Sequence, residues 1–295
     1  MKNTFRKLIP VAAALGFAFA ASSAQAFTLK DGTNVLATDA TTLDWSATGS
    51  GVAKGVGPFG NLLLPGQNFQ FLYQANLATV DGDPTAAFNG LDFTANGSKG
   101  AGKNFEFTMV AKLNEKVTTI AGSTATFGVA GPQSGNKVAI YFDTAANAST
   151  SAGTGFDDGT LVALLTIVPD NTQSTFTVTG ANSGQGSTKM SARVVENGDF
   201  IDQNYLQGVS QLLFGVNFQG TLNYPSEDSL ASAFHVGGSA LFPDYTVNPA
   251  SDIVFKVDGS NTFQGRAVPE PGTMMLLGMG MLGLVGAKRR RAPKA

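Results

Sequence analysis

Cysteine is absent from the 295-residue chain, and histidine occurs once, at His235. The first absence excludes disulfides, thiol nucleophiles and thiolate-bound metals. The second excludes histidine-cluster metal sites and leaves any Ser-His-Asp triad one possible base. Charge is scarce, at 14% of residues, and a single Trp stands beside 22 Phe and 5 Tyr. So little charge, combined with 36 Gly and much Ser, Thr, Asn and Ala, describes neither a helical bundle nor a typical cytosolic enzyme. It fits an exported β protein, and the 43% apolar content suffices for a real core in one large or two small domains.

The formal net charge of −2 conceals a segregation. Residues 1–26 carry +3 through Lys2, Arg6 and Lys7, and residues 268–295 carry +4. The stretch 27–267 between them, with 11 basic and 20 acidic residues, stands at −9. Phosphate binding needs a basic face, so this acidic body excludes nucleic acid as a partner.

Both ends read as targeting segments. The basic start is followed by an apolar run from Leu8 to Ala21 and then by Ala24-Gln25-Ala26, the small-x-small pattern of a signal-peptide cleavage site. The pattern predicts a signal peptide over 1–26, with Ala24 and Ala26 at the cleavage site and Phe27 as the first mature residue. At the other end, Val268-Pro269-Glu270-Pro271 precedes an apolar run from Met274 to Ala287 and the cluster Lys288-Arg289-Arg290-Arg291. As a helix, that run covers about 21 Å, short of a hydrocarbon core of about 30 Å. Thr273, Gly272 and snorkelling cations can extend it. The cluster acts as a membrane stop that stays cytoplasmic and leaves the body outside. Pro269 and Pro271 keep the preceding segment extended and outside the helix.

This tripartite end, covering about 28 residues from Val268, resembles the PEP-CTERM sorting signal. The resemblance implies recognition by an exosortase, a membrane enzyme of Gram-negative bacteria that make exopolysaccharide. It also implies a transient inner-membrane anchor, then release to the cell surface or extracellular matrix.

The body, 27–267, shows period-two alternation in Phe69–Leu77, Asn104–Met109, Thr175–Thr179, Gln211–Phe218 and Asp252–Val257. Lys137–Phe142 and Leu161–Val168 are more continuously apolar, which predicts strands buried on both faces. Turn clusters intervene at Asp81–Pro84, Ala95–Ser98, Gly131–Asn136, Glu196–Asp199 and Asp258-Gly259, where Asn-Gly and Asp-Gly supply positive φ. Gly180–Ser187 reads as a long loop and Thr262–Pro271 as a tether to the membrane segment. The expected fold is all-β, an antiparallel β-sandwich or jelly roll held by its Phe-rich core.

Chemistry is harder to find. Asp157-Asp158, with Asp143 nearby in sequence, offers carboxylates for Ca²⁺ but meets no calcium-loop consensus, and solvated turns account for it better. The other expected cofactor state is none. No G-x-S-x-G elbow accompanies His235, which reads as structural. Trp45 and the Tyr residues could stack on sugar rings, although core packing is the commoner fate. Leu62-Leu63-Leu64 is either an exposed apolar patch or a buried edge.

Three stretches, Val138–Asn147, Ala152–Leu161 and Leu72–Leu77, resemble the flocculation-associated PEP-CTERM proteins of floc-forming bacteria. That resemblance implies a secreted protein that helps cells aggregate in flocs or biofilms, with exopolysaccharide as a partner. The absence of Cys, the single His and the lack of a nucleophile motif make the expected protein non-enzymatic. A carbohydrate-binding module is the alternative reading, and an exported hydrolase with an unrecognised site is the next.

Overall fold

A computed structural model describes residues 26–57, 59, 63–81, 93–94, 97–98, 105–209, 215–224, 242 and 244–264. The expected signal peptide up to Gln25, Leu62, Gly82-Asp83-Pro84 and Ala95-Asn96 of the expected turns, Asn104 and Gln211–Phe214 of the alternating runs, His235, and the C-terminal segment with its expected membrane helix lie outside these residues. The described strands, in chain order, begin with β1 (Phe27–Lys30), β2 (Val35–Ala40), β3 (Thr42–Trp45), β4 (Gly49–Lys54) and β5 (Asn68–Asp81). Next come β6 (Phe93–Thr94), β7 (Gly97–Ser98), β8 (Glu106–Ala121), β9 (Thr124–Val129), β10 (Lys137–Asp143) and β11 (Thr160–Gly180). The last are β12 (Ser183–Arg193), β13 (Phe200–Ile201), β14 (Leu206–Gln207), β15 (Gly215–Tyr224) and β16 (Ile253–Gln264).

Two pairs of strands behave as one. β3 and β4 both run along β5, with Trp45 opposite Leu77 and Ser50 opposite Gln74. β9 and β10 likewise share one edge of β8. With each pair counted once, antiparallel pairing proceeds from β3/β4 through β5, β8, β9/β10, β11, β12 and β15 to β16. β16 then pairs back onto both β3 and β4. Chain order equals spatial order and the ladder closes, giving an eight-position up-and-down barrel. This replaces the two packed sheets of the expected sandwich or jelly roll. Period-two alternation is common to all three, so pairing, not pattern, decides between them. Among the described residues, closure pairs the two outermost strand positions with each other, as barrels do to remove sheet edges.

Alternation divides the side chains between the lumen and the outer wall. Phe71, Tyr73, Met109, Leu113, Ile140, Leu165, Met190 and Val257 belong to the lumen core. Their neighbours Leu72, Val110, Ala139, Tyr141 and Leu164 form a second core on the outer wall, covered by Ala148, Phe156, Phe242 and Val247. The outer cover explains the continuously apolar runs, because β10 and the first half of β11 are buried on both faces. Each large side chain so buried stabilises the fold by about 1.5–3 kcal/mol.

A small sheet ordered β14-β1-β2 supplies Phe27, Leu29, Leu36 and Leu206 to the lumen core. Phe27, the expected mature N-terminus, packs edge-on against Phe263 near the end of β16, with ring centroids 4.9 Å apart. A buried ion pair fastens another connection: Lys137 Nζ lies 2.6 Å from Asp199 Oδ1 and 2.9 Å from Glu196. Burial pushes the Asp199 carboxyl up, but bonds from Lys137, Thr166 and the Glu196 and Val195 amides outweigh it and hold it below the usual range.

Three loop expectations are corrected. Gly180–Ser187 is a tight β11–β12 hairpin, because Gly184 and Gly186 sit where a Cβ would collide with the β11 strand and the Phe176 ring. Asp258-Gly259 lies mid-strand in β16, with Gly259 opposite Gly220 and Asp258 opposite Thr221. Thr262–Gln264 belong to the same strand, so any tether begins only after Gln264.

Candidate functional site

The three stretches singled out in the sequence meet on one wall of the barrel. Leu72–Leu77 lies on β5 and Lys137–Asp143 on β10, the strands on either side of β8. The connection from Asp143 to Gly159 folds over them, and two β8 side chains hold it down. Glu106 Oε1 accepts from the Asn147 and Ala148 amides, both at 2.8 Å, while its Oε2 accepts from Asn76 Nδ2 at 2.8 Å. Thr108 donates its hydroxyl to the Phe156 carbonyl at 2.6 Å, and Phe156 plugs the outer core. Burial pushes the Glu106 carboxyl up, with the amide bonds offsetting part of the effect. Neither Glu106 nor Thr108 stood out in the sequence. The available signal was an acid between apolar residues at the head of β8, in Phe105-Glu106-Phe107.

The calcium candidates belong to this loop. Asp143 accepts from the Ala145 amide at 2.9 Å, a turn interaction. Asp158 accepts from Asn147 Nδ2 at 3.0 Å. Burial, followed by the neighbouring charges of Asp158 and Asp244, pushes the Asp157 carboxyl up to about 7, and its Oδ2 is buried without a partner. Among the described residues, no three acidic or histidine side chains converge so that they could hold a metal ion.

Trp45 is a core residue, 1% exposed, and donates its indole N–H to Asn261 Oδ1 at 2.7 Å. That geometry removes it from the candidates for sugar stacking. Tyr73 and Tyr141 are buried as well. Tyr245 carries Lys54 Nζ over its ring at 3.9 Å and donates to Asp252 at 2.6 Å. Leu63 packs on the lumen core, whereas Leu64 is 59% exposed, so these two residues face opposite ways and do not form an exposed patch together.

The outer face across β9, β11, β12, β15 and β16 is hydroxyl-rich. Thr126, Thr175, Ser187, Thr221 and Asp258 stand opposite one another in successive ladders. The Thr175 and Ser187 hydroxyls are 3.2 Å apart. A shallow groove of about 330 Å³ continues this face, lined by Asp44, Ser187, Lys189, Thr221, Asp258 and Ser260. Burial pushes the Asp44 carboxyl up, with the Thr79 hydroxyl bond opposing. Such a surface, with its hydroxyls and the charged groups Asp44, Lys189 and Asp258, can exchange hydrogen bonds with a polyhydroxylated chain.

No curated protein matches the chain, and no solved structure does. Residues 267–291 match the PEP-CTERM protein-sorting motif. The match covers the Val268–Pro271 motif, the apolar run and the Lys288–Arg291 cluster. The chain thus carries a C-terminal signal that implies recognition by an exosortase, export, and membrane-associated sorting to the cell surface.

Proposed function

We propose that this protein is a non-catalytic surface or matrix component of a Gram-negative bacterium, promoting cell aggregation within exopolysaccharide after exosortase processing. The observation that carries the reading is the sorting motif at 267–291 attached to an all-β body. The resemblance of the loop-bearing wall to flocculation-associated proteins supports the aggregation role. The hydroxyl-rich outer face suits contact with the polymer, because Thr and Ser hydroxyls both donate to and accept from sugar hydroxyls and Asp carboxylates accept from them. Deleting the gene and scoring floc formation tests the reading. Deletion cells should grow dispersed while still making polysaccharide, and unchanged flocculation would overturn it.

The groove by Asp44 and Asp258 favours a second reading, a carbohydrate-binding module that acts without cells. Co-sedimentation of the purified chain with isolated polysaccharide separates the two, since matrix retention that depends on cells would yield none.

A further inference from the structure

The lumen is not filled along its whole length. At the end where β4 leads into β5, β8 turns into β9 and β11 turns into β12, it holds a cavity of about 60 Å³. That is several times the 10–15 Å³ that one water needs. All eight strand positions line it: Ala53 (β4), Phe69 and Phe71 (β5), Glu115 (β8), Phe127 (β9), Ser174 and Phe176 (β11), Thr188 (β12), Leu222 (β15), and Ile253 and Phe255 (β16). Apart from Glu115, Ser174, Thr175 and Thr188, the lining residues are all apolar. Phe69, Phe176, Ile253 and the loop residue Leu63 are only partly buried, so the cavity reaches towards solvent between them.

Glu115 is out of place in such a chamber. It is 3% exposed, and its Oε1 has no hydrogen-bond partner. Its other support is a hydrogen bond with Ser174, whose hydroxyl lies 2.8 Å from that of Thr188. A buried polar atom left unpaired costs about 1–3 kcal/mol, and folding would gain from Leu or Met here. An acid facing an apolar space with an unused oxygen is the arrangement of a pocket that fixes one polar head and accepts a hydrocarbon body.

We propose that this end of the barrel binds a small apolar molecule bearing a single neutral hydroxyl, with the hydroxyl on Glu115 Oε1 and the hydrocarbon against the Phe rings. A hydroxyl can donate to the carboxylate or accept from the carboxylic acid, so it pairs with either protonation state. A carboxylate head would bring a second negative charge to Glu115, and an ammonium head would have to shed its water to reach an apolar chamber. The site lies inside the barrel and is independent of the outer face and of the role proposed for it.

Four probes share one skeleton and differ in the head: benzyl alcohol, toluene, benzylamine and benzoate. Titration calorimetry on the full chain in lipid nanodiscs, with empty nanodiscs subtracted, should find benzyl alcohol bound about tenfold or more tightly than toluene, and benzoate not bound. Glu115→Leu should bring benzyl alcohol down to the affinity of toluene while toluene still binds. Ala53→Leu, which fills the chamber, should abolish both, with Trp45 emission reporting that the barrel is intact. Equal affinity of the wild-type protein for toluene and benzyl alcohol, tighter binding of benzylamine, or no binding of any probe would overturn the proposal. The wild-type series decides the matter even if a variant fails to fold.

Discussion

Replacing Glu115 by Gln should make the protein more stable above neutral pH. Burial, partly offset by the Ser174 hydrogen bond, pushes the Glu115 carboxyl from 4.5 up to about 7. The unfolded chain releases this proton near 4.5, whereas the folded barrel keeps it until near 7. Between those values the folded state binds more protons, so stability falls as pH rises, and the full penalty is present above 7. At 1.36 kcal/mol per pH unit, the penalty is about 3 kcal/mol. Gln preserves the shape and does not ionise. The quantity to measure is the stability difference between variant and wild type, from urea unfolding followed by the single Trp45, at pH 4.5 and pH 8. That difference should move by about 3 kcal/mol in favour of the variant on going to pH 8. Asp157, Glu106 and Asp44, whose carboxyls are also pushed up, are common to both proteins and cancel. Parallel pH profiles would refute the reasoning, because they would mean that water reaches the Glu115 carboxylate.

Lys137→Met should cost about 3–5 kcal/mol, because it leaves the fully buried Asp199 carboxylate without its cation; the urea midpoint reports this, and adding Asp199→Asn should recover part of the loss. Calcium at millimolar concentration should leave the melting temperature unchanged, since no three carboxylates among the described residues converge; a rise that chelator reverses would place donors around Asp157. Glu270→Ala with Pro269→Ala should keep the body in the membrane fraction instead of releasing it, because the match at 267–291 includes these residues; mass spectrometry of external protein checks this, expecting a wild-type end near Val268–Pro271.

The sequence on its own was informative wherever the signal is local. Alternation over a handful of residues marks Phe69–Leu77 or Thr175–Thr179 as strand, because successive side chains of a pleated chain point to opposite faces. That the outward residues Leu72, Gln74 and Asn76 are buried too was decided by the cover on the outer wall. The doubly apolar run Leu161–Val168 announced a strand covered on both faces, and the structure supplies the cover in Phe156 and Phe242. The C-terminal signal was legible because its three parts follow one another directly in the chain and match as a linear motif. Failures cluster where a distant partner decides. Asp258-Gly259 has the composition of a turn, yet in-register pairing with Thr221 and Gly220 holds it in mid-strand. Gly184 and Gly186 suggest a loop until the Phe176 ring is placed against them. Core packing is the commoner fate of a Trp and is that of Trp45, but the Asn261 acceptor that fixes its indole lies 216 residues away. Glu106 as the anchor of the Asp143–Gly159 loop, and Glu115 as the acid that lines the lumen cavity, gain their meaning from residues on other strands. Above all, barrel and sandwich share one alternation. Only the return of β16 onto β3 and β4 closes the ring, and that pairing joins the first strand position to the last, a contact no local pattern encodes.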